Sequence, residues 1–119
     1  MAAQENKSIK VDWNGTREGV KDDKGKAQPF KGFINYFPRT ILAISEVSVF
    51  GSKKYAWDGF SNVENGNDRY EEAQFRHKLV QCIEGKESKD EESRLLHMMH
   101  EAWCAMAKVE MYLKDKETK

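Results

Sequence analysis

The chain has 119 residues, of which 20 are basic and 20 acidic, so its formal net charge is zero. A neutral chain has no overall field to hold a nucleic-acid backbone or an anionic membrane, and we expect neither as a partner. No apolar run approaches the roughly 20 residues that span a bilayer, and the polar start lacks a signal-peptide core, which predicts a cytoplasmic protein. Cys82 and Cys104 are too few for a disulfide scaffold and are expected to be reduced.

The distribution of apolar residues predicts one small all-α domain. Residues 1–28 are polar and are predicted to form a flexible N-terminal arm, residues 29–115 a single helical domain, and residues 116–119 a charged tail. No alternating strand pattern of useful length is present. A domain of this size buries only about 65–70% of its unfolded surface. We therefore expect a bundle of three main helices that homo-oligomerisation completes.

The first helix is predicted from an apolar pattern that follows an aromatic cluster. The cluster occupies residues 30–37 and suggests packing across a helical core or against another subunit. Pro38 suits the first turn of a helix. The helix is predicted over residues 39–50 and should end near Gly51. A polar loop of about 15 residues follows, and loops of this length are often functional.

Two further helices follow the loop. Asp68 and Glu71 resemble a capping pair for the second helix, whose apolar spacing continues to Gly85. Both cysteines are predicted to lie on helices among apolar neighbours. The third helix is predicted from about Asp90, after a charged turn. The carboxylates of residues 90–92 would then lie at the positive end of its dipole.

Glu46 is the most informative single residue. Its helical neighbours at three and four positions either way are Leu42, Ala43, Val49 and Phe50. A carboxylate is costly to bury without a partner. Glu46 should therefore meet a cation or a metal, open on a groove, form a structural ion pair, or stay partly exposed.

All three histidines, His77, His97 and His100, lie on predicted helices. His97, His100 and Cys104 share one helical line that would present soft ligands to zinc, but no CxxC or HExxH motif accompanies them. One alternative places His77 in a core stripe, with His97 and His100 in interhelical hydrogen bonds. Another places all three histidines in a nucleotide pocket.

Cationic and aromatic residues cluster around the loop. Lys53, Lys54 and Arg76 suit phosphate groups, and Tyr55 and Trp57 offer a platform for a nucleobase. The GxxxxGK motif of a P-loop is absent, and clustered lysines on a loop are commonly just solvated. This set is therefore a candidate phosphate site without a defining motif.

Asp90 and Glu92 have two readings. They either stabilise the start of the third helix through its dipole, or join Glu46 around a magnesium ion. Magnesium takes oxygen ligands and commonly shares its coordination with substrate phosphates.

Five short segments occur in an order and spacing typical of one family. They are GVKDDKGK at 19–26, FGSKKY at 50–55 followed by Trp57, RYEEAQFRH at 69–77, DEES at 90–93 and HMMH at 97–100. Together they resemble the N-terminal domain of phage dATP/dGTP diphosphohydrolases, over about residues 19–113. Where that family tends to have Gly after ES and Asn after HxxH, this chain has Arg94 and Cys104.

The resemblance implies a phage or prophage protein related to the MazG-like all-α pyrophosphohydrolases. It implies attack on the α–β phosphoanhydride of a dATP-like or dGTP-like nucleotide, within a dimer or tetramer. It further implies Mg²⁺, or Mn²⁺, held by carboxylates on paired helices. The usual ExxE…ExxD pattern of that superfamily does not occur across the predicted helices.

Three functions follow as hypotheses. The first is a metal-dependent nucleotide pyrophosphohydrolase, the second a non-catalytic phage counter-defence protein that sequesters a nucleotide, and the third a module that docks on a host protein through the aromatic cluster. For the enzyme, the metal ligands would be Glu46, Asp90 and Glu92, the phosphate ligands Lys53, Lys54 and Arg76, and the other site residues His77, His97 and His100.

Overall fold

The computed structural model describes residues 23–117 and, before them, the two-residue strands β1 (Ile9–Lys10) and β2 (Val20–Lys21). The chain divides into two compact units, Met1–Tyr36 and Phe37–Lys119. Most of the predicted arm lies outside the described residues, as does the end of the predicted tail. None of the helices in the described part of the chain has both the length and the apolar character that crossing a bilayer requires.

In the first unit, β1 and β2 pair antiparallel, with Ile9 opposite Lys21. A single π-helical turn, Phe30–Ile34, follows, and the N–H of Asn35 closes it by donating to the Phe30 carbonyl over 2.9 Å. The side chains of Phe30 and Ile34 are exposed, so they do not pack in a helical core.

The second unit confirms the all-α prediction. It consists of α1 (Pro38–Lys54), α2 (Gly66–Glu84) and α3 (His97–Glu117). Helix α3 packs along α2 and, less extensively, against α1. Among the described residues, the most deeply buried side chains belong to α1 and α3. They are Val47 on α1 and His97, His100, Cys104 and Ala107 on α3.

Helix α1 begins at Pro38 as predicted, but it does not end near Gly51. It continues to Lys54, and the Gly51 carbonyl accepts the N–H of Tyr55 over 2.8 Å. A glycine weakens a helix interior and ends the helix only where the backbone turns left-handed. Gly85 does so, with φ of 104°, and it ends α2 as predicted.

Helix α2 begins at Gly66, and the predicted capping pair is wrong. Asn65 precedes the helix in a left-handed conformation, with φ of 54°, and makes no side-chain capping bond. Its carbonyl accepts the N–H of Arg69 over 3.0 Å. Asp68 therefore lies inside the first turn, where a carboxylate still favourably meets the helix dipole.

Helix α3 begins at His97 and not near Asp90, so residues 90–92 do not lie at its N-terminus. They form a turn in which Lys89 and Leu96 pair as an isolated antiparallel bridge. Arg94 has φ of 64°, which is incompatible with a right-handed helix at that position. The apolar spacing predicted a helix from about residue 90, but the bridge and the positive φ of Arg94 prevent a helix before His97.

The connection between α1 and α2 is fixed through one aromatic contact set. A short 3₁₀ turn, Gly59–Asn62, carries Phe60, whose ring meets Trp103 edge-on at 5.6 Å. Tyr70 also meets Trp103 edge-on, at 5.5 Å, and its hydroxyl donates to the Phe60 carbonyl over 3.1 Å. The Trp103 indole N–H donates to Ser48 Oγ over 2.9 Å, so one side chain joins all three helices.

The outward faces of α1 and α2 keep large apolar side chains in solvent. Leu42, Leu79 and Ile83 are 73%, 60% and 81% exposed. Monomeric proteins rarely expose large contiguous apolar patches. These exposed side chains support the predicted homo-oligomer, which stays a prediction. Both cysteines are free, as predicted, but Cys82 is exposed on α2 and does not pack among apolar neighbours.

Candidate active site

A groove of about 570 Å³ opens between the helices of the second unit, within the size range of small-molecule sites. One part of its lining is aromatic and the other is polar. The aromatic lining comes from Phe50, Tyr55, Trp57, Phe60, Tyr70 and Trp103, and the polar lining includes Lys54, Arg76, His77, Asp90, Glu92 and His100. Most of the residues that the sequence singled out therefore meet in one cavity.

Three histidines from α2 and α3 meet at the polar end. The Nδ1 atoms of His77 and His97 lie 2.7 Å apart. The rings of His77 and His100 stack, with centroids 4.7 Å apart and planes 14° from parallel. The Nε2 atom of His100 forms a hydrogen bond with Ser93 Oγ over 2.7 Å. The predicted interhelical hydrogen bond is thus confirmed for His97, whose partner is His77, and wrong for His100, whose partner Ser93 lies in the turn before α3.

Burial sets the protonation of His77 and His100. Desolvation, followed by the nearby His100 and His97, lowers the pKa of His77 to about 4. Burial also lowers the pKa of His100, against the opposing effect of Asp90. At neutral pH both imidazoles are therefore uncharged, and each carries a nitrogen lone pair.

Asp90 is held by its own turn. Its Oδ1 atom accepts the backbone N–H groups of Glu92 and Ser93, each over 2.9 Å. Burial by itself would raise the pKa of Asp90, but these two N–H groups, together with the nearby His100 and His77, hold the pKa below its usual value. The carboxylate is therefore ionised, and its second oxygen is left for another ligand.

His77, Asp90 and His97 can hold a metal ion. One ligand atom from each lies within 4.8 Å of the other two. Two imidazole nitrogens and a carboxylate oxygen form a donor set that divalent ions accept. Among the described residues, Glu46, Asp90 and Glu92 form no comparable group, and neither do His97, His100 and Cys104.

The other predicted residues are divided between the groove and the surface. Glu46 and Lys53 are exposed on α1 and do not line the groove. Lys54 lines it and pairs with Glu92, with Nζ and Oε1 separated by 3.1 Å. The hydrogen bond to Glu92 raises the pKa of Lys54. Glu92 therefore faces a lysine, a partner that its sequence neighbours do not reveal.

The sequence did not single out three residues that shape the groove. Tyr70, which lies in the segment RYEEAQFRH, and Trp103 both line the aromatic wall. Ser93 orients His100, and its position inside the DEES segment was the available signal. Burial raises the pKa of Cys104 to about 11, so this thiol packs as a protonated apolar group.

Residues 16–119 match the family described as dATP/dGTP diphosphohydrolase, N-terminal. Comparison with curated proteins and with solved structures gave no match. The match covers nearly the whole chain and includes every residue that lines the groove. The chain thus belongs to the dATP/dGTP diphosphohydrolase N-terminal family.

Proposed function

We propose that this chain is a metal-dependent pyrophosphohydrolase that cleaves a deoxynucleoside triphosphate between its α- and β-phosphates. One observation carries the proposal: a single groove combines an aromatic wall, two cationic side chains and a cluster able to hold a metal ion. A nucleoside triphosphate needs all three, for its base, its phosphate charge and the reaction at phosphorus.

The aromatic wall suits the nucleobase. Tyr55 and Trp57 are 61% and 69% exposed although they line a concave surface. Stacking of a base on such rings is favourable for every base, because each has a π-face. Bound nucleotide would remove this exposed apolar surface from water.

The cations suit the phosphates. Arg76 lies in the groove lining and, among the described residues, makes no ion pair, so its guanidinium is available for bidentate contact with phosphate oxygens. Lys54 is paired with Glu92, but both side chains are substantially exposed. Exposed ion pairs contribute only about 0–1 kcal/mol to stability, so a phosphate group can replace Glu92 as the partner of Lys54.

A divalent ion is part of this proposal, and the family resemblance implies Mg²⁺ or Mn²⁺ for it. His77, Asp90 and His97 would hold it at the polar end of the groove. When bound, the ion would neutralise phosphate charge and act as a Lewis acid. The uncharged His77 and His100 keep the cluster open to a cation, because neither adds positive charge at neutral pH.

The proposal is tested by incubating the purified protein with deoxy- and ribonucleoside triphosphates and Mg²⁺ or Mn²⁺. Pyrophosphate release and ligand-induced thermal stabilisation are followed together. Asp90→Asn should abolish release. Arg76→Met should weaken nucleotide binding about tenfold or more, through loss of a charge-assisted contact. Arg39→Met, an exposed arginine of α1, is the matched control and should behave as wild type.

The outcomes separate the hypotheses. Release that disappears in Asp90→Asn supports the enzyme. Stabilisation by nucleotide without release under either metal would replace it with the nucleotide-sequestering function, which uses the same groove. No response to any nucleotide would overturn both and leave docking on a host protein.

A further inference from the structure

We infer that His77, Asp90 and His97 form a binding site for a first-row transition ion of the Mn²⁺ to Zn²⁺ series, and that this site discriminates against Mg²⁺. The role of this ion in hydrolysis rests on the proposed function, whereas its binding rests on the geometry of the three side chains. The inference differs from an all-carboxylate magnesium site, which the described residues do not assemble.

The donor set carries the choice of ion. Two of the three ligand atoms are imidazole nitrogens and one is a carboxylate oxygen. Mg²⁺ requires near-octahedral oxygen coordination and gives up its water reluctantly. Imidazole suits manganese, iron, cobalt, nickel and zinc, whose affinities rise along the Irving–Williams order. Two nitrogen ligands therefore favour these ions over Mg²⁺.

The separations suit a single ion. Nitrogen and oxygen ligands lie about 2.0–2.2 Å from such an ion, so two neighbouring ligands on it are about 3–3.5 Å apart. The His77 and His97 Nδ1 atoms are 2.7 Å apart, and all three ligand atoms lie within 4.8 Å of one another.

The two facing Nδ1 atoms also have a chemical consequence. A neutral imidazole has one N–H and one lone pair, so a 2.7 Å contact requires one Nδ1 to carry the proton. An ion held by both Nδ1 atoms would need both of these lone pairs, so each ring would then carry its proton on Nε2. The cation replaces the shared proton as the link between α2 and α3.

The ligands are held before any ion arrives. Asp90 is fixed by two backbone N–H groups, and the N–H of His97 donates to the Ser88 carbonyl over 3.0 Å. Gln81 Nε2 donates to the His77 carbonyl and to Glu101 Oε1, joining α2 to α3 one turn from the site. Such supporting contacts tune metal affinity by orienting the ligands.

His100 is a positioning residue in this arrangement. Its ring stacks on His77, and its Nε2 is engaged by Ser93 Oγ. His77 and Asp90 line the groove, whereas His97 is buried behind them. Three protein ligands would leave further coordination positions for water or a ligand in the groove, as in catalytic metal sites.

The test titrates the chelator-treated full chain, without nucleotide, with Co²⁺, Mn²⁺ or Mg²⁺. Calorimetry measures affinity and stoichiometry, and the visible spectrum of Co²⁺ reports its ligands. We expect one Co²⁺ per chain and an affinity for Co²⁺ at least about 100-fold above that for Mg²⁺. His77→Gln, His97→Gln and Asp90→Asn should each lower Co²⁺ affinity by about 100-fold or more, because a lost ligand exceeds the 10–100-fold effect of a supporting contact.

Glu46→Gln removes an exposed carboxylate of α1 and is the matched control, with unchanged Co²⁺ affinity. His100→Gln should lower the affinity less than either ligand substitution does. Circular dichroism of each metal-free variant shows whether it is folded. Should the histidine variants unfold, ¹⁵N imidazole spectra of wild type with Zn²⁺ decide, since ligation must shift Nδ1 of His77 and His97.

Absence of Co²⁺ binding, equal affinity for Mg²⁺ and Co²⁺, or binding that persists in all three ligand variants would overturn the inference. These results are independent of catalysis. Hydrolysis supported by Mg²⁺ in a protein that binds no Co²⁺ would remove the inference and leave the proposed function. Tight Co²⁺ binding without hydrolysis under any of the three ions would do the reverse.

Discussion

The two connections between the helices border the same groove but are built differently. Residues 85–96 are closed by backbone and side-chain hydrogen bonds, with Asp90 fixed by two N–H groups and Ser93 bonded to His100. Residues 55–65 have Tyr55 and Trp57 in solvent and are fixed mainly where Phe60 meets α3. The groove thus has a preorganised charged end and an exposed aromatic end.

The difference follows from the forces at each end. Hydrogen bonds and coordination bonds to phosphate or metal are most effective when donors and acceptors are already in place. Otherwise the free energy needed to reorient these groups offsets the free energy of binding. Stacking on an aromatic ring is weakly directional and depends on area removed from water. The charged end therefore needs a rigid turn, while the aromatic end needs only an anchored one.

The largest expected effect comes from removing the anchor of the first connection. Trp103→Ala loses the edge-on contacts with Phe60 and Tyr70 and the hydrogen bond to Ser48. The half-buried site places the loss in free energy of unfolding at about 2–3 kcal/mol, at the low end for large aromatic truncations. Chemical denaturation with circular dichroism measures it.

Trp103→Phe is the control for this substitution. It keeps a six-membered aromatic ring but removes the N–H that donates to Ser48 and part of the indole volume, so the loss should be smaller, about 1–2 kcal/mol. Equal losses for the two variants would show that the hydrogen bond, and not the ring packing, anchors residues 55–65.

The second connection offers a stabilising change. Arg94 has φ of 64°, and its N–H donates to the Asp90 carbonyl over 2.8 Å. An L-residue in this region is strained by roughly 1–2 kcal/mol, and glycine relieves the strain but adds unfolded-state entropy. Arg94→Gly should therefore raise the free energy of unfolding by about 0.5–1 kcal/mol.

Arg94→Ala separates backbone from side chain, because alanine keeps the strain and removes the guanidinium. Its stability should stay close to that of wild type. If Arg94→Ala stabilises the protein as much as Arg94→Gly, backbone strain at Arg94 does not explain the gain in stability. Residues 85–96 would then not be held in a strained conformation.

The smallest effect on stability is expected at the exposed end of the first connection. Trp57 is 69% exposed, so Trp57→Ala should change the free energy of unfolding by less than about 0.5 kcal/mol. Under the proposed function it should weaken nucleotide binding by about tenfold, since base stacking contributes roughly 1–3 kcal/mol. Thermal unfolding and nucleotide titration of the same variant compare the two effects.

Nucleotide affinity unchanged in Trp57→Ala would show that this ring does not receive the base. A loss of several kcal/mol in stability would instead show that residues 55–65 are held as firmly as residues 85–96. Trp57→Phe, which retains an aromatic face, should keep most of the affinity.

Local chemistry made part of this fold predictable. Pro38 begins α1 and Gly85 ends α2 as predicted, because proline presets φ and glycine alone readily takes a positive φ. Asp90 was misassigned to α3 because its apolar followers continue a helical pattern. In the structure Lys89 and Leu96 form an antiparallel bridge, which requires the chain to reverse direction between them and so excludes a helix there.

The sequence by itself determined the all-α class, the family and most of the charged and histidine residues of the groove, since helix periodicity and short motifs are local properties of the chain. It did not determine that Glu46 faces solvent or that Glu92 faces Lys54. Nor did it show that His77 meets His97. Spacing tells which residues share a helix face, but which faces meet depends on packing between segments about 20 residues apart or more, and only the tertiary structure decided that.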